Sequence, residues 1–209
     1  MTFASREEAG RDLGLRLAQR SARPEVVLGL PRGGVVTAAE VAWVLERPLG
    51  VLVVRKIGHP RQREFAVGAI AEPDVLLLDE AVLREHHLTR EDLDGVIAEE
   101  TARLRDYMAR FHQASDASLA GKSVVIVDDG MATGATAEAA VLSARKQMAR
   151  EVIVATPVAS PDAVKRLGAV ADEVVALDIE ADFVAVGSHY DYFPQVTDEE
   201  VLQQLKDHA

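Results

Sequence analysis

Short apolar runs alternate along the chain with segments of helical periodicity, and that alternation restricts the possible folds more than any single residue does. Residues 26–30, 51–54, 123–127, 152–155 and 174–177 are brief, rich in Val, Leu and Ile, and almost free of polar side chains. Runs of this kind are apolar on both faces, as the strands of a parallel sheet covered by helices on either side must be. Between them, residues 6–20, 35–45, 134–148 and 161–167 carry helical patterning, and Ala9, Leu13 and Leu17 recur on one face behind a Ser5–Glu8 capping box. The expected class is α/β, a mostly parallel twisted sheet flanked by helices and joined by right-handed crossovers.

Two excursions interrupt this rhythm. Residues 66–71 and 75–78 read as an antiparallel hairpin around Glu72-Pro73-Asp74, preceded by a turn-rich basic stretch at 56–63. Residues 89–112 form the most charged helical segment, opened by a Thr89–Asp92 cap, and define a helical insertion at about 80–118. A further short strand is expected at 183–186, and a closing helix to about 205 behind a Thr197–Glu200 capping box. With 209 residues, 48% of them hydrophobic, the chain is expected to form a single domain over 1–209 with a full core.

The charge balance is 23 Lys and Arg against 34 Asp and Glu, a formal net charge of −11. That sign is wrong for coating a polyanion, so nucleic acid is not an expected partner. The chain has no Cys, which excludes a disulfide framework, a thiolate zinc site and a cysteine nucleophile. Arg6, Glu7, Glu8, Arg11 and Asp12 punctuate the first 20 residues, and no window reaches about 18 uncharged apolar residues. A soluble, cytoplasmic protein without a membrane partner is the expectation.

The most informative segment is 124–136, Val-Val-Ile-Val-Asp-Asp-Gly-Met-Ala-Thr-Gly-Ala-Thr. A buried strand empties into two acids, then into a turn of small and hydroxylic residues, then into a helix. A helix N-terminus offers free N–H groups and partial positive charge, and small side chains let a phosphate approach them closely. Thr133 and Thr136 add hydroxyl donors. The adjacent acids Asp128 and Asp129 repel one another, a cost that hydroxyls or a cation would relieve. A sugar diol beside a phosphate satisfies both halves, whereas the plain alternative is an ordinary Asp-Asp-Gly turn. The spacing matches neither Gly-x-x-x-x-Gly-Lys-Ser/Thr nor Gly-x-Gly-x-x-Gly.

Four hydrophobic residues, two acids and a Thr-Gly-x-Thr ending resemble the signature of the type I phosphoribosyltransferases. The resemblance implies that Asp128 and Asp129 hold the ribose hydroxyls of phosphoribosyl pyrophosphate (PRPP), and that Gly130, Met131, Ala132, Thr133, Gly134, Ala135 and Thr136 cradle its 5′-phosphate. It also places a pyrophosphate loop at Pro31, Arg32, Gly33 and Gly34, where free N–H groups and a cation meet the leaving diphosphate. Arg55 and Lys56, read as ending the second strand at the same sheet edge, supply further basic groups for the diphosphate. Lys56 is the first choice, with a plain surface lysine as the alternative. Arg55, Lys56, Arg61 and Arg63 lie in a stretch without an acid, which suits an anionic ligand. The insertion occupies the position of the family's flexible loop.

Family members also build a small hood over the base from terminal segments, here about 178–209. Phe183, Tyr190, Tyr192 and Phe193 gather within 11 residues there; Tyr192 or Phe193 either stacks on a base or fills the hood's own core. The resemblance implies transfer of ribose 5-phosphate from PRPP to a nitrogenous base, with Mg²⁺ carried by substrate oxygens and the two Asp at most in support. No protein ligand set for a metal is expected: the six His show no metal spacing, His59 belongs to a turn, and His86-His87 is an exposed pair. Glu72 is expected as a solvated hairpin acid. Several 6-oxopurine enzymes have an acid at the position of Ala132, so the base itself is not legible, and a homo-oligomeric state is left open. The rivals are a PRPP- or nucleotide-sensing regulator on the same fold, and an enzyme acting on another sugar phosphate.

Overall fold

A computed structural model of the chain describes residues 2–113 and 118–208; positions 114–117 of the expected insertion lie outside the described residues. Helix α1 (Arg6–Ala18) leads to β1 (Val26–Gly29), α2 (Gly33–Leu45) and β2 (Leu49–Val51). After the excursions come β6 (Ser123–Val127), α5 (Ala135–Lys146), β7 (Glu151–Ala159), α6 (Pro161–Leu167) and β8 (Glu173–Ile179). The five strands β2-β1-β6-β7-β8 form one sheet, and each neighbouring pair is parallel. One apolar cluster, including Val27, Val125 and Ile153, packs against α1 and α2; another, including Val26, Ile126 and Val154, packs against α5 and α6. These alternate strand positions explain why each run is apolar throughout.

The strand order places a topological switch between β1 and β6. From β1 the chain moves outward to β2, and it later returns to β6 on the other flank of β1. Gly29 and Val127 are register partners, so the loops at 31–34 and 128–134 leave the carboxyl ends of adjacent strands. A crevice opens at such a point because the two connections diverge to opposite faces.

Between β2 and β6 lies a separate antiparallel sheet of β3 (Val54–His59), β4 (Gln62–Ala71) and β5 (Val75–Leu78). The expected strand at 51–54 is thereby corrected: its first residue completes β2 and its last begins β3. Leu52 N–H still donates to Gly29 O, while Val53 O accepts from Glu72 N–H. A single apolar run is shared by two sheets, and hydrophobicity does not mark where the partner changes. The basic stretch at 56–63 is likewise no open turn but the tip of the β3–β4 hairpin, with irregular register around Gly58. Arg55 and Lys56 therefore belong to the second sheet and do not end β2.

Glu72 is also corrected. It is only 4% exposed; its Oε1 accepts from Val53 N–H at 3.0 Å and its Oε2 lies 2.5 Å from His112 Nε2. Its carboxylate provides the acceptor that Val53 would otherwise lack between the two sheets.

The insertion contains α3 (Glu80–Glu85) and α4 (Arg90–Phe111), and α4 begins with the full Thr89–Asp92 capping box. The strand expected at 183–186 is absent; the segment passes through loop into a 3-10 turn at Val186–His189, where Phe183 packs on His189 at 5.1 Å. The chain closes with α7 (Asp198–Asp207) behind the Thr197–Glu200 box. Residues 189–192 are joined to the start of the chain: Phe3 N–H donates to His189 O, and Asp191 and Tyr192 N–H donate to Phe3 and Ala4 O. Phe3, Ala9 and Tyr190 form a small core beneath this cover, with Phe193 and Val186 against it. Among the described residues no helix is long and apolar enough to cross a membrane.

Candidate active site

The site is assembled at the switch between β1 and β6. Val127 delivers Asp128 and Asp129 to the carboxyl edge of the sheet, and Gly29 delivers the 31–34 loop beside them. The two loops touch. A Cβ on Gly33 would overlap Asp129 Oδ2 outright, and one on Gly34 would lie 2.8 Å from Asp128 Oδ1. Glycine at both positions is what lets the start of α2 approach the acid pair. The Pro31–Arg32 peptide in this loop is cis.

Helix capping distinguishes the two loops from the rest of the fold. Ser5, Asp79, Thr89, Ser160 and Thr197 each cap the helix they precede through a side-chain oxygen. In contrast, the N-cap residues of α2 and α5, Arg32 and Gly134, supply no side-chain cap, and the first N–H of α5, on Ala135, meets Thr133 Oγ1 only at a long 3.4 Å. First-turn N–H groups of an α-helix need acceptors from outside the helix. Helices α2 and α5 point their positive ends at the crevice, an arrangement suited to anionic oxygens. Gly134 adopts φ 72°, a left-handed turn that glycine makes without a Cβ penalty. Thr133 is exposed and Thr136 half-buried, and Ser160 Oγ steadies the loop by donating to Ala132 O at 2.6 Å.

The acid pair is crowded by protein yet keeps an opening to solvent. Burial, reinforced by the charge of Asp129, pushes the Asp128 carboxyl well above the usual range. Burial also raises Asp129, and the Arg6 guanidinium opposes the rise. Arg6 Nε donates to Asp129 Oδ2 at 2.7 Å, and Tyr190 OH donates to Asp129 O at 2.5 Å. Burial and the charge of Asp129 push the Tyr190 phenol upward, so it remains a donor.

A polar cleft of about 480 Å³ is lined by Pro31 of the 31–34 loop and Thr136 of the acid loop's helix, together with Arg55, Lys56, Arg63, Glu99, Glu100 and Arg103. Its cations are paired within the protein. Arg55 Nε donates to Glu100 Oε2 at 2.9 Å, Arg103 Nη1 lies 2.8 Å from Glu100 Oε1, and Arg63 Nη2 lies 3.0 Å from Glu99 Oε2. Lys56 Nζ donates to Glu64 O at 2.9 Å. Arg32 extends toward α7, where Nη1 lies 3.6 Å from Asp198 Oδ1. Arg55 and Lys56 thus reach the cleft from β3, and α4 brings both counter-charges and Arg103 to it.

The hood aromatics divide. Phe193 carries the Arg6 guanidinium 3.6 Å above its ring and packs on Tyr190 with centroids 4.9 Å apart, so it fills the hood's core. Tyr192 is 66% exposed and borders a hollow of about 240 Å³ with Arg6, Val36, Pro194 and Glu200. Sequence patterning singles out neither Arg6 nor Tyr190 as part of the site, because their partner is more than 60 residues away along the chain.

A parallel sheet of this topology, with an acid pair between two helix N-termini at its switch point, defines a protein of the α/β class with a candidate anion site. The family model described as phosphoribosyl transferase domain matches residues 11–192, and the chain belongs to that family. It is 48% identical over 204 residues to "Putative phosphoribosyl transferase" proteins from two Mycobacterium tuberculosis strains, CDC 1551 and H37Rv. That similarity covers 97% of this chain but 46% of theirs, so the chain spans less than half the length of these relatives. The solved structure of TT1426 from Thermus thermophilus is 45% identical, covers 100% of both chains and superposes with a TM-score of 0.84.

Proposed function

We propose that the chain transfers the ribose 5-phosphate of PRPP to a nitrogen atom of an acceptor base and releases pyrophosphate. The observation that carries this reading is the placement of Asp128 and Asp129 between the N-termini of α2 and α5, the two α-helices whose N-cap residues supply no side-chain cap. A phosphoribosyl diphosphate has two anionic ends separated by a diol, and this order of groups matches it. The loop 130–136 would take the 5′-phosphate, the acids the ribose hydroxyls, and the 31–34 loop the diphosphate. Lys56 and Arg55 would meet the diphosphate's outer oxygens across the cleft.

In the reaction the acceptor nitrogen forms a bond to C1 of the ribose while the bond from C1 to the diphosphate oxygen breaks, and the electron pair leaves with pyrophosphate. The work of the protein is to align the reactants and stabilise charge on the leaving group. Mg²⁺ would arrive with the substrate, since a hard cation prefers oxygen ligands and waters, and would supply neutralisation of the leaving diphosphate's charge. Asp128 would accept from those waters or from the diol, and Asp129 is already engaged by Arg6. Ala132 brings no acid to the base, and in this reading the acceptor's proton would pass to solvent or to the released pyrophosphate.

The test is incubation with PRPP, Mg²⁺ and a panel of bases, following pyrophosphate release and nucleotide formation alongside PRPP-dependent thermal shifts. Turnover with at least one base is expected. A PRPP-dependent shift without turnover would favour the regulator, and the absence of both would remove PRPP from the site.

A further inference from the structure

Arg6 is placed against local physical preference. It is the first residue of α1, where the helix dipole favours acids, as Glu7 and Glu8 beside it illustrate. Its side chain keeps only 7% of its surface, so the charge is desolvated as well. Three groups from distant segments offset these costs: Asp129 Oδ2 accepts from Nε at 2.7 Å, Pro194 O accepts from Nη1 at 2.8 Å, and the Phe193 ring lies beneath the guanidinium. Tethering the hood to α1 would need only the last two. The charge goes instead to the acid pair.

We infer that Arg6 is a positioning residue of the sugar site, which fixes the Asp129 carboxylate and offsets its charge so that the acid pair can receive a polyanionic sugar diphosphate. The inference rests on the PRPP reading above. Two neighbouring carboxylates at the mouth of a phosphate site repel the ligand they are meant to hold. An internal cation offsets one of those charges, and burial holds the remaining carboxyl, Asp128, above its ordinary range. Asp129 is also held mechanically: Arg6 grips its carboxylate, Tyr190 OH its carbonyl, and Gly33 lies against Oδ2, with a Cβ there only 2.9 Å from Arg6 Nε. The ion pair thereby touches the 31–34 loop, the acid loop and the hood together. Arginine suits the position because a planar face on Phe193 and two directed donors act at once, which an ammonium group would not reproduce.

The experiment compares Mg²⁺–PRPP affinity, and KM against kcat where a base turns over, in Arg6→Gln, Arg6→Lys, Asp129→Asn, the double variant Arg6→Gln with Asp129→Asn, and Arg11→Gln as an exposed control on the same helix. Arg6→Gln is expected to weaken PRPP binding about tenfold, mainly in KM, with Arg6→Lys recovering part of the loss and Arg11→Gln unchanged. The double variant should bind like Asp129→Asn alone, because Arg6 acts through that carboxylate. It also carries no unpaired charge, so it keeps the test valid where Arg6→Gln fails to fold. Folded Arg6→Gln with wild-type affinity overturns the inference, as does a double variant clearly weaker than Asp129→Asn. Wild-type protein without any PRPP response overturns the underlying reading instead, a result no variant at Arg6 can mimic.

Discussion

Asp128 carries a carboxyl that burial and the neighbouring Asp129 charge hold well above its ordinary range. Because the folded-state value exceeds the unfolded one, its favourable contribution is complete at pH below the unfolded value and is lost as pH rises through the folded value. Above the folded-state value the ionised group therefore opposes folding. Asp128→Asn removes that opposition while keeping an oxygen for the Asp129 N–H, which donates to Asp128 Oδ1 at 3.0 Å. The variant is expected to melt roughly 2–4 °C higher at pH 8, with the gain shrinking toward pH 4, and to lose its response to PRPP. Melting curves at both pH values check this, and an equal gain at pH 4 and pH 8 would contradict a titrating origin. Stability surrendered at one carboxyl is the usual mark of a group kept for binding.

At the scale of elements, α4 matters less for its own helix than for the charges it lays over the β3–β4 hairpin. Glu100 keeps 8% of its side-chain surface and accepts from both Arg55 and Arg103, holding two cleft cations in check. Glu100→Gln is expected to loosen α4, lowering the melting temperature by a few degrees, yet to tighten pyrophosphate binding by up to about fivefold as Arg55 is released. Calorimetry with pyrophosphate reads the second effect; unchanged or weaker binding would show that Arg55 does not serve the anion. The same element shows where sequence patterning stops. The loop at 124–136 is legible because strand, acids, turn and helix are consecutive and each local preference agrees with the next. Arg55 and Arg63 read as free positive charge because their partners, Glu100 and Glu99, arrive from a helix about forty residues later in the chain. The change of sheet between Val51 and Val54 is hidden for a related reason, since both halves of the run are equally apolar. Glu72 reads as solvated because Val53 N–H and His112, which hold it, are set by the fold rather than by its neighbours in the chain.

Across the whole molecule, the cover of the site joins residues 3–4 to residues 189–192 through backbone hydrogen bonds. Phe3 is 1% exposed and lies 5.7 Å from Tyr190, the side chain that donates to Asp129, while its backbone joins residues 189–191 on both sides. The core beneath is a satellite of three buried residues, separate from the two clusters that line the main sheet. A deletion there should open the hood locally and leave the sheet closed, because small clusters unfold at a lower cost than the central strands. Phe3→Ala removes an aromatic side chain whose loss from a core typically costs about 3–5 kcal/mol, which is more than so small a cluster can absorb. Amide exchange at 186–193 is therefore expected to accelerate by at least about tenfold, with β6 and β7 unchanged, and PRPP affinity should fall because Asp129 loses the Tyr190 contact. Exchange mass spectrometry on the folded variant resolves the two regions. Equal acceleration in β6 would mean that the hood and the sheet open as one unit, and the coupling from the first residues of the chain to the acid pair would then be a property of global stability and not of the site.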